Sequence, residues 1–431
     1  AVNYENWMKS RIYQFLEFVD LNAIRSATAF VAASDATDPM IDMANAEGTG
    51  LNKWICDGVA DNAQIQAAID AVEAAGGGVV LLSEGTFELA QGLAIDTSNV
   101  MLIGMGRGAT ILKVSDGIVV QFDVLTLDTV ANCMVRDLTI DGNLAGQGGA
   151  LTFYGIVMDA ATHCQVRDVN VHDLYDNGVT AIGIQVKGAA SANNIIERCR
   201  VYDNTAGIWD IEITAGAGAV VERCRVGQGI NVEAADSRII DNHVLGDQIA
   251  VWTGGAGSIV KGNRITGGTR GIDVAIVSGV TVEGNIISGV DEDGIRVTTC
   301  NDLVVSDNLI SLCGFNGIEL TACDDSLITN NRIDKCSQVL TNTHDGIAVE
   351  AGCDDLSITG NQIRTSGVPD QRYGIYLVNP GTSGIWVNDN DVWGGGTTGN
   401  IQDAGGNAVW PGKGLLWDGA VATLITHFNR A

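Results

Sequence analysis

From about residue 150 onward, apolar and polar positions alternate in short bursts rather than in long blocks. Each burst opens with a strand-like tetrad: GIVM (155–158), GIQV (183–186), DIEI (210–213), GINV (229–232), QIAV (248–251), GIDV (271–274), GIRV (294–297), GIEL (317–320), GIAV (346–349) and GIYL (374–377). Alternation with a period of two marks a strand with one buried face. The Ile positions recur at steps of 19 to 29 residues. A constant strand with a varying step predicts stacked coils joined by loops of changing length.

Every repeat carries a second alternating strand, such as VTVEGNII or LVVSDNLI. It sets Asn242, Asn263, Asn285, Asn308, Asn331, Asn361 and Asn390 in one column. Side-chain amides stacked in this way hydrogen-bond along the stacking axis and satisfy turn backbone groups. The fold class these patterns predict is all-β: a single-stranded right-handed parallel β-helix of about 12 coils, with an N-terminal helical cap. Residues 51–405 are assigned to it. Residues 1–50 read as a helix followed by a linker, for capping or oligomerisation, and 406–431 as a C-terminal cap. Within the opening coil, Asp61 is placed to cap a helix from about Asn62 to Ala75, which Gly76–Gly78 end.

Composition narrows the partners. The formal net charge of −28 repels phosphate backbones and argues against nucleic acid. No apolar run approaches membrane-spanning length, so no membrane helix is expected. The ten Cys show no CxxC or zinc spacing, and several occupy apolar repeat positions, which predicts buried free thiols. A turn column, Cys300, Cys323 and Cys353, is followed by Asp302, Asp325 and Asp355. Such a column could hold Ca²⁺, with a solvated acidic turn as the plainer reading; no cofactor is required.

The stretch CDGVADNAQIQAAIDAVEAAGGGVVLLSEGTFEL (56–89) and the run VRDLTIDGN (135–143) resemble the opening coils of the pectate-lyase-like β-helix superfamily. That superfamily includes phage tail-spike depolymerases, polysaccharide hydrolases and lyases, and mannuronan epimerases. The resemblance implies a polysaccharide partner, an extracellular or virion-surface location and, by analogy with spikes, a homotrimer. YGIVMD (154–159) is similar to the epimerase motif YGFDPH, with Tyr154 and Gly155 matching. Val157 stands where the epimerases have their catalytic Asp, and Asp159 where they have His, so epimerase activity does not carry over.

Candidate chemistry follows from the register. Taking strict alternation, Asp159, Lys187, Asp210, Glu212 and Glu233 face outward on neighbouring coils as catalytic candidates. Trp252 and Trp209 are expected as aromatic platforms, with Tyr154, Asp273 and Arg296 as further substrate-binding residues. Asp210 with Glu212, or Glu212 with Glu233, would supply the carboxyl pair of a glycoside hydrolase. Lys187 and Tyr154 would instead serve a polysaccharide lyase. A non-catalytic glycan-binding or structural β-helix stays open as the third reading, in which these acids are solvated rungs and Asp273, Arg296 and Glu319 form a salt-bridge ladder.

Overall fold

The structure, a computed structural model, describes residues 27–45, 52–148, 152–175, 181–204, 209–252, 254–365, 371–378, 382, 384–392 and 394–404, with backbone elements at 408–409, 414–417 and 424–427. It divides into two compact units, residues 1–216 and 217–431. Each is a stack of coils whose strands fall into three parallel sheets, the architecture of a right-handed parallel β-helix.

In the first unit, the third sheet runs Leu93–Ile95, Asp123–Asp128, Tyr154–Asp159, Ile184–Lys187 and Trp209–Ile213. Its register pairs Ile156 with Ile184 and Ile184 with Ile211, as the tetrads predict. The helix Asn62–Ala74 packs Ile65, Ala68, Ile69 and Val72 inward. Asp61 does not cap it through its side chain. Its carboxylate instead accepts the backbone N–H groups of Gly58 and Glu88, each at 2.9 Å, and ties the helix to the strand Gly85–Leu89. The first sheet also begins earlier than residue 51. Ala27–Ala32 pairs in parallel with both Asn52–Ile55 and Gly78–Leu82, so part of the expected linker is a strand of the stack. The helix expected before it lies outside the described residues.

In the second unit, the third sheet runs Gly229–Val232, Ile249–Val251, Ile272–Ser278, Ile295–Asn301, Ile318–Asp324, Ile347–Val349, Tyr373–Leu377 and Gly399–Asp403. Ile249, Ile272, Ile295, Ile318, Ile347 and Ile375 stack in register and are fully buried. The Asn column turns the chain from the first sheet to the second. Asn308 shows its logic. Its Oδ1 accepts the Asn285 backbone N–H (2.9 Å) and Asn285 Nδ2 (3.0 Å), while its Nδ2 donates to Val282 O (3.0 Å) and Asn331 Oδ1 (2.9 Å). The residue before each Asn adopts a left-handed backbone, as Asp307 and Asn330 do, which suits Asp, Asn and Gly and explains the recurring DN, NN and GN pairs. All ten Cys are buried free thiols. Beyond the last coil strands, Gly414–Trp417 and Leu424–His427 form an antiparallel pair.

Candidate active site

Polar side chains gather on the outward face of the third sheet, and each unit carries its own group. In the first unit, Lys187 Nζ lies 3.8 Å from Asp159 Oδ2, both side chains more than a third exposed. Tyr154 pairs with Asp123 in the register. Burial and the nearby Asp159 push the Asp123 carboxyl above its ordinary range, opposed by Lys187. Glu212 is half-buried and accepts a 2.7 Å hydrogen bond from Gln185 Nε2 on the preceding coil.

Asp210 departs from its expected place. It stands in register with Gly183, in a column where a Cβ does not point outward. A Cβ on Gly183 would come within 2.2 Å of the inward-facing Val201 Cγ1. Strict alternation therefore fails one residue before the Ile. Asp210 is accordingly 1% exposed, and its Oδ1 accepts from the buried Asn204 Nδ2 at 3.2 Å. Asp210 and Glu212 therefore do not form an outward carboxyl pair. Trp209 is buried too, which removes it as a solvent-facing platform.

In the second unit, Glu233 is half-buried and accepts from Asn231 Nδ2 (3.2 Å), and Trp252 is half-buried. The denser group lies further along the same sheet. Arg296 makes a two-pronged contact with Asp273, Nε to Oδ1 and Nη2 to Oδ2, both 2.9 Å. Asp273 is 1% exposed, so it serves as the anchor of Arg296 and not as a ligand for substrate. Arg372 holds Asp345, 2% exposed, in the same way at 3.1 and 2.7 Å. Stripping the partner from such a buried carboxylate costs about 3–5 kcal/mol. Arg270 pairs with Glu292.

Between these pairs lie four further side chains that alternation over the tetrads does not single out as a site. Asn316 Nδ2 donates to Glu319 Oε2 (2.7 Å) and Asp293 Oδ1 (3.1 Å), and Asn316 Oδ1 accepts the Asp345 backbone N–H (2.7 Å). Glu350 follows the strand Ile347–Val349, whose Ala348 pairs with Glu319. Glu319 and Glu350 are thus diagonal neighbours on adjacent coils, roughly 8 Å apart at Cα by strand spacing. Burial raises the pKa of both. For Glu319, Asp293 adds to the rise, while the Asn316 hydrogen bond, Arg296 and Arg270 oppose it. For Glu350, Glu319 and Asp345 add to it, and only Arg372 opposes. Both carboxyls are thus held above their ordinary pKa, with burial the larger cause in each. Tyr373 and Tyr376 stack beside them, with ring centroids 5.4 Å apart, and the Arg372 guanidinium sits 4.2 Å over the Tyr376 ring. His344 stacks on Phe315 at 4.4 Å, and burial lowers its pKa.

The missed residues did carry a signal. Asp293, Asn316, Asp345 and Tyr373 each immediately precede the Gly of a tetrad, giving DGI, NGI, DGI and YGI. Asp302, Asp325 and Asp355 are exposed turn residues with left-handed backbones. Among the described residues, the one set whose ligand atoms converge as a metal would require is Asp141, His172 and Asp173 of the first unit, all within 4.8 Å of one another.

Residues 228–392 match the family described as right handed beta helix region. The chain is similar to mannuronan C5-epimerase AlgE5 of Azotobacter vinelandii, 26% identical over 265 residues, which cover 56% of this chain and 24% of that protein. The chain thus spans about a quarter of that relative's length. Among solved structures it is similar to the A-module of mannuronan C-5 epimerase AlgE4 from the same organism, with a TM-score of 0.56 and 22% identity over 82% of this chain and 97% of that one. It is also similar to a tailspike protein mutant of E. coli bacteriophage HK620 in complex with pentasaccharide, with a TM-score of 0.56 and 15% identity over 81% of this chain and 76% of that one. At these identities the structural likenesses speak for the fold.

Proposed function

We propose that this chain, a right-handed parallel β-helix of the pectate-lyase-like superfamily, is an extracellular or virion-borne glycoside hydrolase that takes a polysaccharide along the third sheet of its second unit. The observation that carries the reading is the diagonal pair Glu319 and Glu350, two half-buried carboxyls on adjacent coils, with Glu319 oriented by the 2.7 Å hydrogen bond from Asn316 Nδ2. Two carboxyls at this spacing can serve as base and acid on either side of a glycosidic bond.

In the proposed reaction, Glu319 takes a proton from water as the water oxygen bonds to the anomeric carbon. The bond from that carbon to the leaving oxygen breaks, and the Glu350 proton passes to the leaving oxygen. Asn316 orients Glu319 through its 2.7 Å hydrogen bond. Tyr376, held by Arg372, offers a flat apolar face for a sugar ring. The epimerase and tailspike relatives, whose names or bound ligand concern polysaccharide, support a glycan substrate.

The test is a panel of polysaccharides scored for new reducing ends and for unsaturated products. Reducing ends without unsaturation are expected. Glu350→Gln should then lower kcat by about 10²–10⁴-fold while oligosaccharide binding persists. Unchanged turnover in that variant would remove Glu350 as the acid. An unsaturated product would favour the lyase reading at Tyr154 and Lys187, where Lys187 stands 3.8 Å from Asp159. Binding without any product would favour a non-catalytic role.

A further inference from the structure

We infer that the glycan accepted between Glu319 and Glu350 is uncharged, not a polyuronate; this specificity rests on the hydrolase reading above. A polyuronate presents a carboxylate on every sugar, and a site that takes it needs a cation free to meet that charge. Among the described residues, the Lys and Arg carried on the third-sheet strands of the second unit, or within two residues before them, are Arg270, Arg296 and Arg372. Each is already committed. Arg270 pairs with Glu292, and Arg296 and Arg372 each grip a carboxylate by two hydrogen bonds.

Asp273 and Asp345 are buried, so neither arginine can swing to a ligand without stranding an anion away from water. Asp293, Glu319 and Glu350 stand in excess of these three pairs, and the face stays acidic overall. Among the described residues, no set of three or more His, Cys, Asp or Glu converges on this face to hold a bridging cation. The converging set Asp141, His172 and Asp173 belongs to the first unit and includes neither Glu319 nor Glu350. What the face does offer is apolar and neutral: the stacked rings of Tyr373 and Tyr376 and the amide of Asn316. These suit the hydroxyls and C–H faces of an uncharged sugar.

Matched substrates isolate the charge. Polygalacturonate and alginate are each compared with their carboxyl-reduced forms, which keep the backbone linkages and lose the anion. A broad array of neutral and acidic glycans is probed alongside, with reducing ends and binding both measured, with Ca²⁺ and with chelator. The expected result is recognition of neutral glycans on the array, at least tenfold preference for the reduced member of any pair that is recognised, and no gain from Ca²⁺. Binding of a native polyuronate equal to or better than that of its reduced form overturns the inference, and so does an array on which only acidic glycans, or none, are bound. Glu350→Gln separates the two claims. Cleavage of a polyuronate that this variant abolishes would sink the specificity and leave the hydrolase reading standing. Cleavage of a neutral glycan that the variant leaves intact would sink the assignment of the acid.

Discussion

Asp293 shows how a single residue is held against its own solvation. Its Oδ1 accepts both the backbone N–H and the side-chain Nδ2 of Asn316, at 3.0 and 3.1 Å, yet burial still raises its pKa. A carboxyl with a higher pKa in the folded state than in the unfolded chain binds its proton more tightly when folded. Its contribution therefore favours folding at acid pH and is lost as pH rises from the unfolded value, about 3.9, through the folded one. At neutral pH the ionised Asp293 costs stability. Asp293→Asn keeps an acceptor for Asn316 and removes the charge. It is expected to stabilise the fold by on the order of 1 kcal/mol at neutral pH, with the gain shrinking as acid protonates the wild-type carboxyl. Denaturant midpoints across a pH series check this; a gain that is absent at neutral pH, or that grows in acid, would mean that Arg270 compensates the charge in full. The same residue marks where sequence reading stops. Asp293 has the parity of Ile295, so alternation sends it inward. The bend at Gly294, where a Cβ would come 2.5 Å from Ile310 Cγ2, instead brings it beside Glu319.

At the scale of the element, the asparagine column is where sequence and structure agree most closely, because one constraint repeats at every coil. Ile columns, Asn column and buried thiols were all legible, since each is enforced by the neighbour above and the neighbour below. The candidate-site group was legible only in part: Glu319 and Glu350 hold outward positions of the alternation, whereas Asp293, Asn316 and Asp345 lie beside bends at the tetrad glycines, where the two-residue period breaks. Asp210 departs from alternation too: it shares the parity of Glu212 yet is 1% exposed. The ladder itself makes a prediction. Asn308→Ala leaves the Asn285 N–H without its partner, removes one donor from the Val282 carbonyl and cuts two amide links along the stack. At about 1–3 kcal/mol for each buried group left unsatisfied, the variant should lose about 3–5 kcal/mol. Asn390, only partly buried, closes the column, so Asn390→Ala should cost less than half as much. Guanidinium unfolding of the two variants compares them directly; equal losses would show that the column does not act as a cooperative ladder.

At the scale of the whole molecule, a formal charge of −28 sits on a fold that repeats its outward positions every coil. Strand spacing of about 4.8 Å brings like-charged side chains on neighbouring coils within one Debye length at physiological ionic strength, about 8 Å. The molecule offsets part of this with cross-coil pairs, among them Lys261 with Glu283 at 2.9 Å and Arg198 with Asp168 at 2.7 Å. Half-exposed pairs of this kind contribute little each, about 0–1 kcal/mol, and 24 Lys and Arg cannot neutralise 52 Asp and Glu. The excess acid therefore works against compaction, and salt should relieve it. Raising NaCl from about 0.05 M to about 1 M, where the screening length falls to about 3 Å, is expected to raise Tm by several degrees. Salt also weakens the favourable surface pairs, so a Tm that fell would mean that those pairs outweigh the net repulsion. A rising Tm fits a surface whose acids are in uncompensated excess, the same imbalance that at the Glu319–Glu350 face turns a polyanion away.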